Sequence, residues 1–168
     1  ANSVEMRNTA LSPLRVFGGL SGSGALTLSS GNVRFGGSFS YNGTLCPGGA
    51  CSGMLLDAAM FLSATNASNG AIGGNGTLGP LTGLPTITPG SSFETLNWTA
   101  QGTAVINTGN LAGAKLKMGL EGSAAGTGYD QINVTGGINL VAASTLDVSM
   151  LANFVPTLNQ QFVLVNND

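Results

Sequence analysis

Apolar and polar residues alternate in short runs along most of the chain. Ala25-Leu26-Thr27-Leu28-Ser29, Asn32-Val33-Arg34-Phe35 and Ser38-Phe39-Ser40-Tyr41 form an early series. Thr103-Ala104-Val105-Ile106, Ala114-Lys115-Leu116-Lys117-Met118, Gln131-Ile132-Asn133-Val134, Thr145-Leu146-Asp147-Val148 and Gln161-Phe162-Val163-Leu164-Val165 form a later one. A period of two sends successive side chains to opposite faces, so each run predicts a short strand with one buried face. Gly18-Gly19, Asn42-Gly43, Asn75-Gly76 and Gly136-Gly137 fall between the runs and suit turns with positive φ. Helical spacing is nearly missing. Its best match is Met54–Ala64 (MLLDAAMFLSA), set between Gly53 and Thr65-Asn66. A short helix is the expectation there, although strands describe the segment nearly as well.

Strands that follow one another without helices leave a sandwich, a barrel or a solenoid of stacked parallel coils. Composition separates these. The chain holds 27 glycines and 48 serines, threonines and asparagines, but 12 charged residues, or 7 per cent. An average globular protein carries about 25 per cent. Because 42 per cent of residues are apolar, there is a core to bury and disorder is excluded. Uncharged polar groups must then coat the surface, which suits an extracellular protein of many short strands. Stacked coils place like residues above one another, so Asn, Ser and Thr form ladders and small residues let the coils superpose. The expected fold is therefore all-β: one domain over residues 1–168, a right-handed parallel β-helix of about 20 residues per coil. A β-sandwich is the alternative, since no strict period is visible. Residues 1–19, with Glu5, Arg7 and Pro13, read as a cap, and residues 46–64 as an inserted loop or short helix.

Charge excludes some partners. The net charge is −2, and the five basic residues, Arg7, Arg15, Arg34, Lys115 and Lys117, are dispersed, so no stripe tracks a phosphate backbone. No apolar run approaches the ~20 residues of a membrane span. The opening Ala1-Asn2-Ser3 lacks the pattern of a signal peptide and reads as a mature terminus. Cys46 and Cys51 bracket Pro47-Gly48-Gly49 in CPGGAC. A local disulfide is favoured over a free thiol pair because the composition looks secreted. Zinc is disfavoured, since it wants four ligands and there is no histidine.

Catalytic chemistry finds little to work with. Without histidine there is neither a Ser-His-Asp triad nor a Cys-His dyad. The seven acids are isolated in sequence, and stacking makes Asp130 and Asp147 the pair most apt to approach. Their simpler reading is a turn cap for Asp130 and a solvent face for Asp147. Calcium would need more than Asp130, and no D-x-D-x-D-G loop exists. No enzyme, cofactor or metal is expected. Trp98 and Tyr129 are candidate aromatics for contact with a sugar, with core packing the simpler reading of Trp98, which shares a face with Leu96.

Four segments, in order, resemble the autotransporter-associated β-strand repeat of bacterial surface proteins. Leu20–Asn32 (LSGSGALTLSSGN) is similar to its G-G-L-T-L-S-G-x-N pattern, and Gly70–Gly79 (GAIGGNGTLG) to L-G-G-x-G-T-I-G. Thr86–Leu96 (TITPGSSFETL) resembles L-S-P-G-x-S-x-G-T-L, and Gly126–Gly136 (GTGYDQINVTG) resembles Y-D-x-L-x-V-x-G. Asn32-Val33-Arg34-Phe35 departs from the family's N-T-Y-T-G, and the CPGGAC loop looks inserted. The resemblance implies a parallel β-helix on, or released from, a bacterial surface. The expected role is structural or adhesive: a filament, sheath or matrix whose partners are copies of itself, neighbouring surface proteins or glycans. Phe162–Val165 looks poorly protected, and the expectation is that this end either continues into further chain or pairs with a neighbouring subunit. A carbohydrate-binding module is the alternative, and a polysaccharide-active enzyme ranks third.

Overall fold

Alternating runs become strands only where neighbours complete their backbone hydrogen bonds, and here the neighbours come from far along the chain. The computed structural model describes residues 3–7, 14–18, 20–30, 33–36, 39–41, 44–45, 54–56, 59–60, 64–66, 71–74, 77–78, 81–82, 86–90, 103–106, 109–110, 113–140 and 143–167. Among them the secondary structure is all β, and no helix is long and apolar enough to cross a membrane.

The first sheet orders β1 (Ser3–Arg7), β4 (Ala25–Ser30), β7 (Thr44–Leu45), β10 (Ala64–Asn66), β13 (Leu81–Thr82), β16 (Gly109–Asn110) and β19 (Ile138–Asn139). The second orders β2 (Leu14–Val16), β5 (Val33–Phe35), β8 (Met54–Leu56), β11 (Ala71–Gly74), β14 (Thr86–Pro89), β17 (Lys115–Leu120) and β20 (Thr145–Met150). The third orders β9 (Ala59–Met60), β12 (Thr77–Leu78), β15 (Thr103–Ile106), β18 (Gln131–Val134) and β21 (Val165–Asn167). β3 (Leu20–Gly22) and β6 (Phe39–Tyr41) form a separate pair. Every such pairing is parallel and joins a strand to the one three places further along the chain.

Register turns this order into a core. Leu14, Val33, Met54, Ile72, Ile87, Leu116 and Leu146 form one column across the second sheet, each the partner of the next. Val33, Ile72, Ile87 and Leu116 are buried in it. Leu26 and Leu28 from the first sheet and Ile132 and Val134 from the third meet Phe35 and Met118 in the same cluster. Each such side chain contributes about 1.5–3 kcal/mol on burial. Asn166 Nδ2 donates to Asn133 Oδ1 at 3.1 Å between β21 and β18. It is a stacked asparagine pair within strands rather than at a corner.

The spacing is uneven. In the second sheet the partners Ile72 and Ile87 are 15 residues apart and Val33 and Met54 are 21 apart. Thr86 and Lys115 are 29 apart, and Lys115 and Thr145 are 30 apart. The extra length of the Lys115–Thr145 step goes into the connection 121–130 between β17 and β18, and a like connection, 151–164, joins β20 to β21.

Two expected elements differ. Met54–Ala64 is not a helix: β8 and β9 lie within it and β10 starts at its end, one strand for each of the three sheets. Met54 pairs with Val33 on one side and Ile72 on the other. Two short apolar strands separated by a few residues mimic helical spacing, and pairing with parallel neighbours outweighs local propensity. The run Gln161–Val165 is a strand only from Val165, which pairs with Ile132. Ahead of it, Gln131 Nε2 donates to the Val163 carbonyl at 2.8 Å, Ile132 N donates to the Leu164 carbonyl at 2.9 Å and the Phe162 ring packs on Tyr129, so side chains and one backbone bond hold that stretch. Residues 1–19 supply β1 and β2, the outer strands of their sheets.

Candidate functional site

Cys46, Cys51 and Trp98 lie outside the described residues. The remaining candidates fall into two places, a loop between β17 and β18 and the free edge of β20.

The loop is a knot of short backbone contacts. The Gly128 carbonyl accepts from both Glu121 N and Gly122 N at 2.7 Å, and the Ala124 carbonyl accepts from Gly128 N at 2.7 Å and Tyr129 N at 3.0 Å. Gly122 and Gly128 cross closely enough that a Cβ on Gly128 would stand 2.8 Å from the Gly122 carbonyl carbon. Tyr129, 7 % exposed, meets the Phe162 ring edge-on at 5.3 Å, and Phe162 meets Phe154 in the same manner at 6.1 Å. Tyr129 therefore ties the 121–130 connection to the 151–164 connection. Asp130 is wholly buried; its Oδ2 accepts from Gly119 N at 2.8 Å while its own N donates to the Gly119 carbonyl at 3.0 Å. The carboxylate locks the end of the loop to β17.

Asp147 lies elsewhere. It sits in the middle of β20 on the outward face, opposite Lys117 in register, and its Oδ2 is 3.4 Å from Lys115 Nζ. Stacking thus gives Asp147 lysine neighbours, while Asp130 is engaged by Gly119 ahead of β18. Among the described residues no three acidic or cysteine side chains gather as metal ligands would.

The β20 edge has a different character. β20 pairs with β17 on one side, and no described strand pairs with its other side. Leu146, Val148 and Met150 continue the apolar columns of the second sheet yet are 56 %, 40 % and 55 % exposed. Beside Leu146 a mostly apolar recess of about 220 Å³ is lined by Leu116, Leu140, Leu146, Leu164 and Val165, with Ser144 and Thr145. The core thus reaches the surface here. At the opposite edge Leu14 and Phe17, in and just after β2, are exposed as well. Unpaired N–H and C=O groups beside exposed apolar side chains make an edge that accepts another strand. The sequence presents Thr145–Val148 as a strand like any other; its place at an edge is set by strand order, which has no local signal.

No family model, curated protein or solved structure matches the chain.

Proposed function

We propose that the chain serves as an extracellular structural or adhesive protein of a bacterial surface, folded as a right-handed parallel β-helix with three strands per coil. One observation carries this reading: pairing between strands three places apart, parallel throughout, with side chains of all three sheets meeting in one core. A chain that wound repeatedly around one axis would pair this way, whereas a β-sandwich is built on antiparallel neighbours. The uncharged polar coat and the resemblance to autotransporter-associated repeats support the compartment, and Cys46 with Cys51 would form its disulfide. In this reading the coils are the working material. They offer long columns of like residues and open strand edges, and few charges to repel a neighbour in a filament, sheath or matrix.

Electron microscopy of the purified chain, combined with light scattering over a range of concentrations, tests the role. Filaments, sheets or ordered aggregates are the expected result. Isolated particles at every concentration would remove the structural role and leave adhesion to be sought on a glycan array.

A further inference from the structure

The two outer strands of the second sheet, β2 and β20, each have no further partner among the described strands and are complementary in register. β2 reads Leu14-Arg15-Val16 and β20 contains Leu146-Asp147-Val148. Leu14 and Leu146 occupy the two ends of a single column, related through Val33, Met54, Ile72, Ile87 and Leu116. A second copy that continued that column would set its Leu14 on Leu146, its Arg15 on Asp147 and its Val16 on Val148. The same step in the first sheet would bring Ile138 to Val4 and Asn139 to Glu5, because Ile138 and Val4 also end one column. β1 and β2 are the first strands of the first and second sheets, and β19, β20 and β21 are the last strands of the three long sheets.

Charge selects the order. Arg15 is the register partner of Arg34, so two positive residues lie side by side on neighbouring strands. Lys117 stands beside Asp147 at the other end. Docking Asp147 of one copy on Arg15 of the next converts the column at the junction to Lys117, Asp147, Arg15, Arg34, with opposite charges meeting at the joint. Two β20 edges brought together would oppose Asp147 to Asp147, and two β2 edges Arg15 to Arg15.

Resting on the β-helix reading above, we infer that the occupant of the β20 edge is a second copy of this chain, docked head to tail through its β2 edge in the register Leu146–Leu14, Asp147–Arg15, Val148–Val16. The contact joins two different surfaces, so it does not close on itself and propagates as a filament. It also covers Leu146 and Val148 and completes the hydrogen bonding of β20.

Sedimentation equilibrium of the full chain and four variants tests this. The mass is expected to rise with concentration in steps of 16.7 kDa. Arg15→Asp and Asp147→Arg alone each lower the association constant by about tenfold or more, since a joint of opposite charges becomes one of like charges. The double variant R15D/D147R, which restores opposite charges at the joint, recovers most of that loss. Leu146→Asn, at a side chain exposed in the single chain, abolishes association while leaving the circular dichroism unchanged. A constant mass of 16.7 kDa at all concentrations would overturn the inference. So would single reversals without effect, or a double variant no better than either. Assembly that ignored all four variants would remove this register and leave the structural role standing.

Discussion

Asp130 takes no part in any surface of the molecule. Buried completely, it holds Gly119 N with its carboxylate and the Gly119 carbonyl with its own N–H, closing an eleven-residue excursion at its root. Asp130→Ala would strip a buried N–H of its acceptor, and urea denaturation should show a loss of about 1–3 kcal/mol. Asp130→Asn keeps an acceptor and should lose less. Lys115 and Asp147 are the contrast. Both are about half exposed, so Lys115→Ala should cost no more than about 0.2–1 kcal/mol by the same measurement. The sequence marked Asp130 as a turn residue and Asp147 as a surface one. Its spacing carried no sign that Gly119 would be the partner of Asp130, because that bond depends on Gly122 and Gly128 crossing within backbone contact. Gly128→Ala should therefore destabilise the protein by about 1–3 kcal/mol, the range for overpacking, read from the same denaturation curves.

Several of the longer strands were legible from alternation alone, although β1, β11 and β14 were not. β4, β15, β17, β18 and β20 lie where the runs around Leu28, Val105, Leu116, Ile132 and Leu146 predict them. β7, β12, β13 and β16 are two residues long, too short for any period to register, and exist because neighbours on both sides supply their hydrogen bonds; β9, equally short, pairs with β12 alone among the described strands. The same neighbours make strands of Met54–Ala64 where local spacing favours a helix. β17 is deeply buried: Leu116, Met118 and Leu120 are all in the core, and six residues pair with β20. Met118→Ala should cost about 2–5 kcal/mol of unfolding free energy, the range for truncating a buried methionine.

At the scale of the molecule, strand order decides which surfaces are available. Alternation says that Leu146 and Val148 face inward, but only the order of the sheets says that no described strand follows them. This is why the candidate site was largely hidden in the sequence; the aromatic candidate Tyr129 is buried against Phe162, between the connections 121–130 and 151–164. The proposed β-helix and the proposed head-to-tail contact both rest on one premise, that parallel register repeats every third strand around a shared core. Cysteine pairs placed at register partners, one pair in each long sheet, test it most directly: E5C/T27C, K115C/T145C and N133C/N166C. Parallel neighbours bring the paired Cα atoms within the roughly 4.4–6.8 Å that a disulfide spans. The account predicts that all three pairs close within a single chain under mild oxidation, as identified by peptide mapping. Failure of the pairs to close in any of the sheets, with only scrambled or intermolecular products, would contradict it.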